Sequence, residues 1–119
     1  MITEDYVSFD TAKLLKEKGF GQLTYACFAP DGEEYYGYRA VDDDIMRPTL
    51  QMAMKWLREA HKLYIVVRPY VTEEGFFSLF DVKSVKEKGI VVNIRTKTGF
   101  TTYEEACEAA IKYCLENLI

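Results

Sequence analysis

Leu63-Tyr64-Ile65-Val66-Val67-Arg68-Pro69-Tyr70-Val71, then Thr72-Glu73-Glu74-Gly75, then Phe76-Phe77-Ser78-Leu79-Phe80-Asp81-Val82, is the stretch on which the fold turns. Leu63, Ile65 and Val67 alternate with Tyr64, Val66 and Arg68, the spacing of a strand with one buried face. The polar segment at 72–75 has hairpin length, so Phe76 to Val82 reads as the antiparallel return. Lys83 to Gly89 makes the next turn. Ile90, Val92 and Ile94 then face one way, and Val91, Asn93 and Arg95 face the other. The pattern predicts a three-strand antiparallel meander whose apolar side is closed by helices.

Two amphipathic segments flank the meander. From Pro48 to His61, the residues Leu50, Ala53, Met54, Leu57 and Ala60 recur at helical spacing. Met52 and Trp56 widen that face, so this helix is expected to be buried on more than one side. After the meander, Thr102 stands three residues before Glu105, a capping box, and Glu104 adds charge suited to a helix N-terminus. Ala106, Ala110, Tyr113 and Leu118 trace the buried stripe of this last helix.

Working outward, Ser8 caps a first helix through about Lys18, with Ala12, Leu14 and Leu15 apolar and Gly19 as its stop. Gln22 to Phe28 reads as a strand. Pro30-Asp31-Gly32 is a turn, and Tyr35 to Val41 is a tyrosine-rich return strand. Asp42-Asp43-Asp44 is a solvated loop leading to Pro48. The expectation is a single α+β domain over residues 1–119, an antiparallel sheet packed against helices in the order α-β-β-α-β-β-β-α. Strand order, and whether the N-terminal hairpin joins the main sheet, stay open.

With 119 residues, 49% hydrophobic and 29% charged, the chain has the balance of an ordinary globular protein. No apolar run approaches the length of a membrane span. Met1-Ile2-Thr3-Glu4-Asp5 is acidic where an export signal would be basic. Cys107 and Cys114 lie seven residues apart in a helical stretch, about 10 Å along its axis and too far for a disulfide. Cys27 stands alone in an apolar strand. Three buried, reduced thiols and no export signal point to the cytoplasm and away from the membrane.

The net charge of −4 disfavours a general phosphate-backbone binder, which needs a basic face. His61, at a helix C-terminus, has a favourable electrostatic position and no carboxylate that spacing identifies as its orienter. The Asp42–Asp44 run lacks the glycine and distal glutamate of a calcium loop. Gly19-Phe20-Gly21 follows a helix instead of opening one, the wrong polarity for a phosphate loop. No catalytic, cofactor or metal site follows from these residues.

The nine tyrosines are the unusual feature. Tyr35, Tyr36 and Tyr38 fall beside Arg39, and alternation puts Tyr36 and Tyr38 on one face and Tyr35 on the other. Cross-strand packing accounts for such rings. Tyr and Arg are also the residues enriched at protein interfaces. Tyr35, Tyr36, Tyr38 and Arg39 are therefore the candidate interaction surface, for a protein partner or for self-association.

Two resemblances bear on function. Ala53-Met54-Lys55-Trp56-Leu57-Arg58-Glu59, the run from Tyr103 to Leu118 and Thr11-Ala12-Lys13-Leu14-Leu15-Lys16-Glu17-Lys18-Gly19-Phe20 resemble an uncharacterised family of short proteins from gut Bacteroides and their phages or mobile elements. The likeness is weakest from about Gln22 to Met46, supplies no site, and implies a small accessory protein. From Pro48 onward, the order helix, three strands, helix is similar to the double-stranded-RNA-binding domain. That module grips RNA with lysines at the start of its last helix and with its first inter-strand loop. Here those places carry Glu104 and Glu105, and Glu73 and Glu74. The leading expectation is a non-enzymatic interaction or regulatory protein. The alternative is a nucleic-acid binder with a double-stranded-RNA-binding-like fold.

Overall fold

The computed structural model describes residues 2–39 and 43–119. Along the chain come α1 (Phe9–Glu17), β1 (Ala26–Phe28), β2 (Glu34–Tyr36), β3 (Ile45–Arg47), α2 (Leu50–His61), β4 (Leu63–Thr72), β5 (Gly75–Val85), β6 (Val91–Phe100) and α3 (Tyr103–Asn117). The fold is α+β, and the order of α-helices and strands follows expectation with one added strand. β3 lies where the sequence reads as a loop, because Ile45, Met46 and Arg47 pair with Phe28, Cys27 and Ala26 across the chain. The strands form two antiparallel sheets, ordered β2-β1-β3 and β4-β5-β6. The N-terminal hairpin therefore stays out of the meander. Its strands are shorter than predicted, and the expected strand end at Ala40 and Val41 lies outside the described residues.

The helix starts follow local chemistry. Ser8 and Thr49 accept hydrogen bonds from the N–H groups of Thr11 and Met52, satisfying donors that a first turn leaves unpaired. Thr102 accepts from the Glu105 N–H at 3.1 Å. The Glu105 carboxylate reaches back one residue further than a standard box, accepting from Thr101 N–H and Oγ1. Glu108 ties α3 to α1: its Oε1 accepts from the Ser8 N–H at 3.0 Å and from the Thr11 hydroxyl at 2.6 Å.

One core joins both sheets. Leu15, Leu57, Phe80, Val82, Cys107, Ile111, Cys114 and Leu115 are buried together in it. Trp56 packs against this cluster, but Met52 is exposed, so α2 is buried on fewer sides than its composition suggests.

Paired residues in an antiparallel ladder point to the same face. Leu63, Ile65 and Val67 pair with Ser84, Val82 and Phe80, and α3 packs chiefly on β4 and β5 of this face. The Phe80 ring stacks on Phe100 at 5.6 Å and lies 6.4 Å from Tyr113.

β6 departs from plain alternation. Ile94 is an extra residue between the Lys83–Asn93 and Val82–Arg95 pairs, and a second irregularity at Thr98 and Gly99 separates Phe80–Lys97 from Ser78–Phe100. Each extra residue flips the side chains that follow it. Arg95 and Lys97 therefore lie on the helix-bearing face, where the sequence pattern placed Ile94 and turned Arg95 away. The Arg95 guanidinium sits 5.9 Å from the Tyr113 ring. At the second irregularity Gly99 takes φ +93°, a left-handed conformation glycine adopts without strain.

On the opposite face Asp81 is only 5% exposed. Thr96 Oγ1 donates to its carboxylate at 2.5 Å and Arg68 Nε at 3.1 Å. The Thr96 hydroxyl, and then Arg68, hold the Asp81 carboxyl below its ordinary range despite its burial. A depressed carboxylate contributes stability that is present above its ordinary value and lost as pH falls through its folded value. Asp81→Asn should therefore lower the urea midpoint at neutral pH, with the gap to wild type closing below about pH 4. Phe80→Ala should cost about 3–5 kcal/mol in the same titration, because it empties the seam between β5, β6 and α3.

Candidate interaction surface

β2 ends at Tyr36, and the next two residues adopt left-handed backbone, Gly37 at φ +106° and Tyr38 at φ +60°. The N–H groups of both donate to the Tyr25 carbonyl, at 2.8 and 3.1 Å. The chain so wraps around Tyr25 and lays Tyr38 against it, rings 5.3 Å apart and nearly perpendicular. Tyr25 and Tyr36 are 6.1 Å apart, and Tyr36 meets Tyr6 edge-on at 6.1 Å. Tyr6 arrives through a bridge to Thr49, beside the Val7 N–H bond to the Pro48 carbonyl. The result is a continuous row of four rings.

Arg47, from β3, lies beneath the row. Its Nε donates to the Val7 carbonyl at 2.8 Å, and its Nη1 stands 3.3 Å from the Glu34 carboxylate. Nη1 also donates to the Tyr36 hydroxyl at 3.4 Å. The guanidinium stacks 4.6 Å from the Phe28 ring and 5.5 Å from Tyr6. Arg47 thereby anchors the Tyr6 and Tyr36 end of the row. Tyr25, Tyr36 and Tyr38 are 48%, 51% and 59% exposed, and exposed Leu23 and Met52 extend the patch. A shallow hollow of about 220 Å³ opens between Tyr6, Leu23, Tyr25, Tyr38 and Met52.

Of the four residues singled out from sequence, Tyr36 and Tyr38 belong to this surface. They share it because of the left-handed turn, since the strand that would alternate them ends at Tyr36. Tyr35 and Arg39 lie elsewhere. The Arg39 guanidinium stacks 3.8 Å from the Tyr35 ring, and its Nη2 donates to Asp44 Oδ1 at 3.1 Å. Its Nε lies 2.7 Å from Oδ2 without the alignment of a hydrogen bond. The Asp44 side chain is 1% exposed, so it is no part of a solvated loop, and Cys27 Sγ donates to it at 3.5 Å. Asp43 is exposed, and Asp42 lies outside the described residues. Arg39 thus covers a buried carboxylate with the Tyr35 ring stacked on it, and both residues stay partly exposed, apart from the row.

Sequence reasoning missed Tyr6, Leu23, Tyr25, Arg47 and Met52. Tyr25 was within reach, because the hairpin pairs Ala26 with Tyr36 and so sets Tyr25 against the turn. Tyr6 and Arg47 join only through tertiary contacts.

His61 packs edge-on to Trp56 at 4.9 Å. Among the described residues no three His, Cys, Asp or Glu side chains converge as a metal site. No helix among them is long and apolar enough to cross a membrane. No family model, curated protein or solved structure matches the chain.

All three thiols are free and buried. Burial pushes Cys114 up to about 12 and Cys107 up to about 11, the latter against a hydrogen bond from Tyr103. Cys27 is raised as well, by burial and then by Asp44. A thiolate is the reactive form. The native protein should therefore leave a colorimetric disulfide reagent unreacted at mildly alkaline pH, and urea should release three equivalents of thiol together.

Proposed function

We propose that this chain is a non-enzymatic interaction protein that acts through the Tyr6–Tyr25–Tyr36–Tyr38 surface, with a second copy of itself as partner. The observation that carries the reading is the exposed row of four rings packed on one another, with Arg47 anchored against Tyr6 and Tyr36 at one end. Large, rigid, half-exposed aromatic side chains lose little conformational freedom on binding, and with arginine they dominate the energetic centres of interfaces. The surface is also self-complementary. Tyrosine hydroxyls both donate and accept, and Arg47 and Glu34 supply both charges at one spot, which suits a two-fold contact of the patch with itself. An accessory or regulatory role in the cytoplasm agrees with the resemblance to the Bacteroides and mobile-element proteins.

Nucleic-acid binding is the second reading, favoured by the order α2-β4-β5-β6-α3. Glu73 and Glu74 at the β4–β5 turn and Glu104 and Glu105 in the first turn of α3 oppose it, because they would repel phosphate.

Light scattering after gel filtration should show mass rising toward a dimer with concentration. Tyr25→Ser combined with Tyr38→Ser should keep the protein monomeric at unchanged melting temperature. A wild-type protein that stays monomeric at every concentration would overturn self-association. A salt-dependent mobility shift with duplex RNA would favour the second reading.

A further inference from the structure

We infer that the free edge of β6 and the flank of α3 form a groove for an extended acidic segment of a partner protein, which adds to the β4–β5–β6 sheet as a fourth strand. The inference is independent of the tyrosine surface and rests on three observations.

The first is the edge itself. β5 is the central strand, so β4 and β6 each leave one side of their backbone unpaired. β4 contains Pro69, which removes a donor, as edge strands commonly do to prevent pairing. β6 has no proline; its register shifts at Ile94 and at Thr98–Gly99, which leaves Val91–Asn93 and Arg95–Lys97 as regular segments, and all but Phe100 are exposed. Unpaired N–H and C=O groups along such a strand are a template for another chain.

The second is the gap beside it. α3 packs on β4 and β5 and scarcely on β6, leaving the helix-facing side of β6 uncovered. A trough of about 280 Å³ runs there, floored by Phe80, Ala109 and Tyr113. A strand paired to β6 would send alternate side chains into it.

The third is charge. Three cations line the trough: Arg95 and Lys97 from β6, turned inward by the Ile94 bulge, and Lys112 from α3. Among the described residues none of the three takes part in an ion pair. Glu116 is the single carboxylate of the lining, in a chain of net charge −4. Arg95 and Lys97 are two residues apart on one strand, a separation of about 7 Å. Carboxylates at alternate positions of an antiparallel partner strand match that spacing.

The same charges argue against a second copy, since pairing β6 with its own image opposes Arg95 and Lys97 to their counterparts. Three cations are also a small footprint for nucleic acid, whose affinity grows with each phosphate neutralised. A peptide backbone meets both the edge and the charge.

The test uses a fluorescein-labelled synthetic peptide alternating Glu with Val, followed by anisotropy with the full chain at low salt. The acidic peptide should bind, and its Lys-for-Glu counterpart should not. N-methylation of alternate peptide amides should abolish binding, because it removes the pairing donors. Arg95→Glu with Lys97→Glu should weaken binding on the order of tenfold or more, as should Lys112→Glu, which leaves the sheet untouched; unchanged melting temperatures confirm the fold. Tyr25→Ser with Tyr38→Ser should bind the peptide as wild type does. Failure of the acidic peptide to bind overturns the inference. So does binding indifferent to N-methylation, which would mark a plain anion patch. Tighter binding of a single-stranded oligonucleotide, or a dimer dissolved by Arg95→Glu, overturns it in favour of nucleic acid or a second copy.

Discussion

α3 lies close to the sheet because its inner side is built of small and medium residues. Ala106, Cys107, Ala110, Ile111, Cys114 and Leu115 are all fully buried, meeting Phe80, Val82 and Leu63 from the strands and Leu15 and Leu57 from the other helices. The hydrophobic effect stabilises each large aliphatic side chain there by about 1.5–3 kcal/mol. This seam holds both sheets in one core, since α1 leans on α3 through Glu108 while β4 and β5 lie beneath it. It also removes the thiols from chemistry, because burial penalises the charged form they would need.

Where α3 sits decides what is left uncovered. A helix is narrower than three strands, so covering β4 and β5 leaves β6 bare on the same face. The bulge at Ile94 then determines which residues occupy the bare side. Without the extra residue Arg95 would face away with Asp81 and Thr96. With it, two cations enter a trough whose floor is apolar. Bulges recur where a sheet must re-aim a side chain near a functional edge.

The tyrosine surface follows a different logic. Arg47 and Arg39 both stack on aromatic rings, yet one anchors one end of an exposed row and the other covers a buried carboxylate. The difference lies in their partners. Arg47 shares the partly exposed Glu34 and a backbone carbonyl, and lies between the buried Phe28 ring and the Tyr6 and Tyr36 end of the row. Arg39 meets Asp44, almost wholly buried beside Cys27, where an unpaired charge would be costly.

Local pattern alone determined a good deal. The α+β class, the meander after His61, the caps at Ser8 and Thr102 and the inward thiols all follow from periodicity and neighbouring residues, which act over a few positions. The candidate surface was half legible. Tyr36 and Tyr38 stood out by composition, but Tyr35 and Arg39, which stood beside them, are partly exposed and stack on each other next to buried Asp44. Only the tertiary structure decided that Ile45–Arg47 is a strand, that Tyr6 and Arg47 complete the row of rings, that the sheets are separate and that Arg95 points toward α3. Each of these depends on residues far apart in the chain choosing one another. Strand parity in particular is a sum over every residue before it, so one bulge reverses what alternation foretells.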